Sequence, residues 1–239
     1  MRTSLARYLL FLLVIATILT ALPQLVFAQS EFGGGSGTKE DPYVIKTKDH
    51  LNSVRNHLDK HFVLENDIEF SESDFQSTGA FYNNDQGWQP IGDEVNCFTG
   101  FFDGNGFAIK NLYINANHQD EHYLYTGLYG YALYASIINL GIENLNMSVR
   151  SNTNAFGGGI AGSAELSVID NCYSSGKIKI FATTPTMYVA GIVGDSYESF
   201  INSCQNSCEI EVYNNTTKSF TGGITANTFG GTISNCINT

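Results

Sequence analysis

The sequence predicts an all-β fold: a right-handed parallel β-helix (solenoid) with a small α/β cap at its N-terminal end. Three observations predict it. Gly127-Leu128-Tyr129-Gly130, Gly159-Ile160-Ala161-Gly162, Gly191-Ile192-Val193-Gly194 and Gly223-Ile224-Thr225-Ala226 begin 32 residues apart. The same period carries Ile137, Ile169, Ile201 and Ile233, then Asn139, Asn171, Ser203 and Asn235, then Leu140, Cys172, Cys204 and Cys236. Within a unit, three short β-prone patches (156–161, 167–172 and 176–181) are separated by glycine or polar residues, with no helical period between them. A fixed period means one supersecondary unit stacked on copies of itself, and helical repeat classes would need a helix in each unit. The handedness follows from the strong right-handed preference of parallel crossovers.

Residues 1–28 read as a secretory signal peptide. Arg2 and Arg7 precede an apolar run from Tyr8 to Leu22, then Pro23 and the ending Val26-Phe27-Ala28. The run falls short of the about 20 apolar residues of a spanning helix. No cysteine follows Ala28 to carry a lipid, and no later segment is apolar enough to span a membrane. Residues 29–37, with Gly33-Gly34-Gly35-Ser36-Gly37, are expected to form a flexible linker.

Residues 38–97 are expected to hold the N-terminal cap and first strands. Tyr43, Val44 and Ile45 suit a strand, Thr47 can cap a helix carrying Leu51, Val54 and Leu58, and residues 61–70 return to strand. Such a cap covers the first coil's edges and apolar face. Residues 98–239 are the solenoid repeats. Ile109-Lys110-Asn111-Leu112 matches Ile137-Ile138-Asn139-Leu140 at a spacing of 28, which predicts a shorter first coil. The last unit stops sixteen residues past Gly223, so an open C-terminal coil is expected, in a fragment of a longer protein or in a chain that associates through that face.

The repeat columns have structural reasons. A backbone packed against its neighbour tolerates no Cβ, and glycine visits positive φ freely, which accounts for Gly127, Gly130, Gly159, Gly162, Gly191, Gly194 and Gly223. Stacked amides at about 4.8 Å spacing can bond along the axis, which accounts for Asn139, Asn171 and Asn235. Cys172, Cys204 and Cys236 are expected as free thiols filling an interior column, because parallel in-register side chains keep their Cβ atoms farther apart than a disulfide prefers. Cys97 and Cys208 lie outside that column.

Composition narrows the partners. Only 15% of residues are charged, and the formal net charge is −11. Removing residues 1–28 deletes two arginines and no acid, giving −11 − 2 = −13. With basic residues few and scattered, nucleic acid and anionic membrane surfaces are disfavoured. A glycan or an extracellular protein remains the expected partner.

The tetrapeptides Gly127-Leu128-Tyr129-Gly130, Gly159-Ile160-Ala161-Gly162 and Gly191-Ile192-Val193-Gly194 resemble the GLUG motif. The stretches 37–45, 88–92 and 98–106 are similar to segments that usually precede it. The resemblance spans about residues 37–239, with Ala226 departing from it in the last repeat. It implies a secreted or surface-attached β-solenoid, as in adhesin-like proteins and the non-catalytic regions of immunoglobulin A-cleaving peptidases. It implies no reaction.

A search for chemistry returns little. His118-Gln119-Asp120-Glu121-His122 fails the zinc-peptidase pattern because glutamate is not next to the first histidine. His57 and His61 straddle a helix end and a strand start. Asp103-Gly104-Asn105-Gly106 reads as a tight turn rather than a calcium loop. Asp170, Asp195, Glu165 and Glu198 occupy different columns, so no carboxylate pair keeps register between coils. Tyr123, Tyr125, Tyr129, Tyr131 and Tyr134 crowd one coil and hint at a binding surface. Asn146-Met147-Ser148, Asn214-Asn215-Thr216 and Asn215-Thr216-Thr217 are glycosylation sequons. No catalytic residue, cofactor or metal ligand is assigned. The expected function is a non-enzymatic secreted or cell-surface module for adhesion, ligand display or spacing. The alternative is a carbohydrate-active enzyme or an accessory region of a surface peptidase.

Overall fold

The computed structural model describes residues 31–118, 122–182, 186–214 and 218–239. The signal-peptide reading, residues 119–121 of the histidine segment and residues 215–217 of the sequons lie outside them. The described chain is a parallel β-solenoid of four sheets, two of seven strands and two of four. Every pairing between its strands is parallel.

One coil shows the unit. Ala155–Gly158 and Ala161–Glu165 are separate strands, followed by Val168–Asp170 and the long Tyr173–Ala182. Each coil therefore has four strands where the sequence suggested three. The 156–161 patch divides because its chain folds back on itself at Gly158-Gly159-Ile160. A Cβ on Gly162 would lie 2.6 Å from the Phe156 carbonyl oxygen of that same fold-back.

The 32-residue period is the pairing register. Ile169 pairs with Ile137 and Ile201, and Ile201 with Ile233. Ala155 pairs with Met187, and Ala161 with Val193. The first coil differs from the expected 28-residue offset. Phe102 takes the place before Ile137, while Ile109 pairs with Ile142. Asn111 accordingly matches Asn144, not Asn139, and both sit in left-handed backbone at φ 59° and 54°.

The glycines and asparagines exchange part of their expected roles. Of the seven repeat glycines, Gly127 alone has positive φ, at 152°. The others lack room for a side chain: a Cβ on Gly159 would lie 2.5 Å from Gly191 O, and one on Gly191 2.0 Å from the buried Asn206 amide. The left-handed corner belongs to Asn139, Asn171, Ser203 and Asn235, at φ 52–53°. Asn and Asp tolerate that region better than most residues. Their amides form the axial ladder only in part. Asn171 Nδ2 donates to Asn139 Oδ1 (2.9 Å) and Asn139 Nδ2 to Asp103 Oδ1 (2.9 Å). At Ser203 the ladder shifts to the neighbouring column, where Asn202 Nδ2 donates to Asp170 Oδ1 (2.7 Å) and Asn235 Nδ2 to Asn202 Oδ1 (2.8 Å).

The interior is filled by Ile137, Ile169 and Ile201, by Ile160 and Ile192, and by Cys172 and Cys204, all buried. The cysteines are free thiols, and Cys236 Sγ accepts from Cys204 N at 3.4 Å.

The cap is continuous with the solenoid. Thr47 caps α1 (Lys48–Ser53), accepting from His50 N at 3.2 Å, and a 3₁₀ turn at Val54–Asn56 follows. Tyr43–Ile45 and His61–Leu64 join the sheet of Phe101–Asp103, so the boundary drawn at residue 97 crosses a single sheet. The glycine-rich stretch 33–37 is not a free linker either. Gly33 N donates to Val44 O (2.8 Å), Val44 N to Gly34 O (2.9 Å), and Phe32 is buried with its ring stacked on Tyr43 at 4.2 Å. Glycine here lets the chain hug the cap's edge: a Cβ on Gly35 would lie 1.9 Å from Pro42 O. Trp88 closes the cap from the other side. Its Nε1 donates to Leu128 O (3.1 Å) in the first repeat tetrapeptide, and Arg55 lies over its ring at 5.1 Å.

The division of labour between asparagine and glycine is testable. Asn171→Ala keeps a Cβ in left-handed backbone and is expected to cost about 1 kcal/mol more than Asn171→Gly. Urea denaturation of the two variants checks this, and equal stability contradicts it.

Candidate functional site

A groove of about 1050 Å³ lies between the cap and the long-strand sheet. Its floor is the outer face of the strands Tyr113–His118, Gly141–Ser151 and Tyr173–Ala182. Parallel register places Tyr113, Asn146 and Lys177 in one column across that floor. A bulge between Ile142 and Leu145 shifts the register there by one residue. Opposite it, Gly176 sits at φ 130°, where a Cβ would lie 2.3 Å from Leu145 N and O.

The wall is residues 71–86, an excursion outside the repeat. It carries a 3₁₀ turn at Glu72–Phe75 and a left-handed turn at Asn83–Asp85, where all three residues have positive φ. Phe75 and Phe81 are buried against Phe70, whose ring lies 5.2 and 5.1 Å from theirs. The Asp74 carboxylate closes a capping box with Ser71 and pairs with Lys48, and these contacts hold it below its ordinary pKa against the opposing effect of burial. The wall is tied to the floor by Trp88 N to Tyr113 O (2.8 Å), Asn115 N to Gln86 O (2.8 Å) and Asn115 Nδ2 to Asp85 O (3.0 Å).

The groove's polar groups fall into two sets. One is fixed by the protein: Asn111 Nδ2 donates to Phe70 O (3.0 Å), Asn144 Nδ2 donates to Asn111 Oδ1 (2.8 Å), and Lys177 pairs with Glu209 (3.2 Å) and Glu211 (2.7 Å). The other set has no hydrogen-bond partner among the described residues: the exposed side chains of Gln76 and Asn146 and the half-buried Lys179. Glu69, Glu72 and Asp85 add three carboxylates. Burial, then the charge of Asp85, pushes the Tyr113 phenol above its ordinary pKa, so it stays a neutral donor.

The tyrosines singled out in the sequence divide. Tyr129 is fully buried, and its hydroxyl has no partner among the described residues. Tyr125 starts a ladder through Phe156, Tyr188 and Phe220, with centroids 5.0, 5.5 and 5.1 Å apart and planes within 12°. Those ring faces cover one another. Tyr131 donates its hydroxyl to Glu165, and Tyr123 and Tyr134 are exposed.

Asp170 accepts from Asn202, and Glu198 occupies a left-handed corner. Asp195 accepts from Asn227 Nδ2 at 2.6 Å. The acids that line the groove, Glu69, Glu72 and Asp85, come from the cap and its excursion and were not singled out. His57 pairs with Glu31 (2.8 Å) and His61 stacks on Phe101 (5.5 Å). Asp103 Oδ1 accepts from Asn105 N (2.7 Å), as an Asx turn does. Among the described residues no group of three or more His, Cys, Asp or Glu is placed to hold a metal ion, and no helix is long and apolar enough to cross a membrane.

No protein-family model matches the chain. It is 39% identical over 130 residues, 54% of its length, to a protein of Evansella cellulosilytica provisionally described as a Gly-rich membrane protein. It is 34% identical over 91 residues, 36% of its length, to halomucin of Haloquadratum walsbyi. The matches cover only 14% and 1% of those much longer proteins. A crystal structure from Bacteroides ovatus, provisionally described as an immunoglobulin A1 protease, aligns with 87% of this chain and 78% of its own, at 18% identity and a TM-score of 0.47.

Asp195 yields a pH prediction. Burial raises its pKa, the Asn227 hydrogen bond opposes that, and Glu165 adds a further rise. A carboxyl raised on folding favours the fold below its unfolded pKa, and the benefit is lost as pH rises through the folded value. Asp195→Asn is therefore expected to raise Tm at pH 7 and to lose that advantage under acid, as thermal scans at pH 7 and pH 3 would show.

Proposed function

We propose that this chain is a non-enzymatic secreted or cell-surface module whose solenoid displays a lateral ligand-binding groove, in the service of adhesion or ligand display. The observation that carries the reading is the groove itself. Three coils and a dedicated wall build a concavity in which Gln76 and Asn146 keep their hydrogen-bonding groups free of protein partners. The GLUG resemblance of the repeats and a relative described as a membrane protein support the location. Labelling of intact cells with antibody to the chain, together with protease shaving, is expected to find it outside. Confinement to the cytosol contradicts the proposal.

The three groove carboxylates favour one second reading, a carbohydrate-active enzyme. Release of new reducing ends from a polysaccharide, abolished by Glu72→Gln, would select it.

A further inference from the structure

We infer that the groove binds a neutral oligosaccharide, taken as an extended chain along the step between the floor and the 71–86 wall. The inference rests on the reading of the chain as a ligand-displaying module, and it names the ligand class.

Size comes first. Pockets for compact small molecules occupy about 300–1000 Å³. The groove, at about 1050 Å³, lies at the top of that range and has room for more than one ring.

Its chemistry suits hydroxyls. A sugar hydroxyl both donates and accepts, so a site that fixes several of them needs donors and acceptors interleaved. Gln76 and Asn146 supply both from opposite sides of the groove, while Glu69 and Glu72 supply acceptors. The Tyr113 ring offers the C–H face of a sugar a surface to lie on. Its neighbour Phe75 meets it tilted at 59° and 5.6 Å, so that surface is not covered by stacking as it is in the Tyr125 ladder.

Charge selects neutral sugars. Three carboxylates line the groove against two lysines, Lys179 and Lys177, and Lys177 is already held between Glu209 and Glu211. A uronate or sulfated chain would meet repulsion there, in a protein already at formal net charge −11.

A peptide fits less well. Extended peptides bind by adding a strand to a free sheet edge. Here the floor is a sheet face whose strands are already paired on both sides around Gly141–Ser151. What it presents is side-chain amides and carboxylates.

The test uses the chain, unglycosylated at Asn146, with cellotetraose, mannotetraose and chitotetraose as neutral probes. A trigalacturonate and a heparin tetrasaccharide are the anionic ones. Calorimetry and amide-shift mapping are expected to show at least one neutral tetrasaccharide binding in the groove and neither anion. Gln76→Ala and Asn146→Ala are both exposed changes expected to leave Tm unchanged. Each should weaken binding about five- to tenfold, the worth of one lost hydrogen bond. Tyr113→Leu should weaken it further, while Tyr113→Phe should keep most of the affinity. Binding by none of the neutral probes, binding indifferent to all these variants, or preference for heparin or a peptide overturns the inference. A surface-exposed chain that binds no sugar loses this inference and keeps the module reading. A cytosolic chain loses the module reading whatever it binds in solution.

Discussion

Everything in this molecule depends on parallel backbone pairing between coils at a fixed register. A strand in a stack satisfies its N–H and C=O groups only through the coils above and below, so the sheet spacing of about 4.8 Å becomes the repeat distance of every side chain. Identical positions must then tolerate themselves as neighbours. Isoleucine does so by packing in the interior, and asparagine by donating from one coil to the next, as Asn171 does to Asn139 at 2.9 Å. Aromatic rings do so by stacking, which fixes the Tyr125, Phe156 and Tyr188 centroids 5.0 and 5.5 Å apart. Where the next coil comes too close for any side chain, glycine is the remaining choice, as at Gly159 below the Gly191 carbonyl.

That logic explains which parts of the fold were legible in the sequence. A 32-residue period is visible because each column has a strict requirement that its neighbours share. The first coil was misread for a related reason. Ile109-Lys110-Asn111-Leu112 looks like Ile137-Ile138-Asn139-Leu140, yet the pairing is decided by the whole coil, and Phe102 fills the isoleucine column while Ile109 sits before Ile142. Local similarity cannot separate two corners that both hold asparagine in left-handed backbone, as Asn111 and Asn139 do. The glycine-rich stretch 33–37 misled differently. Composition says flexible, but glycine is also what a chain needs to lie against an edge, and the bonds between Gly33, Gly34 and Val44 show that use.

The groove was the least legible feature. Its floor residues Asn146 and Lys177 lie in the repeat, but Glu69, Glu72, Gln76 and Asp85 lie where no period exists. The one sequence signal was the interruption itself: between Phe70 and Trp88 the chain carries no strand pattern, yet holds Phe75 and Phe81. Buried aromatics in an aperiodic segment mean an excursion that is anchored. An anchored excursion beside a sheet makes a wall.

This gives a general reason to look for recognition where a solenoid departs from its repeat. In the regular coils the side chains are already matched to their own copies: ring faces to rings, amides to amides, and Lys177 to the Glu209 and Glu211 of the next coil. A foreign ligand there would have to displace those contacts. At the 71–86 excursion no copy exists to occupy the facing groups, and the sheet floor still supplies a rigid, fully paired backbone. Free hydrogen-bonding side chains on a rigid base are what binding requires, since a preorganised site loses little entropy when the ligand arrives. The repeat thus supplies the rigidity, and the break in the repeat supplies the groups left free to bind.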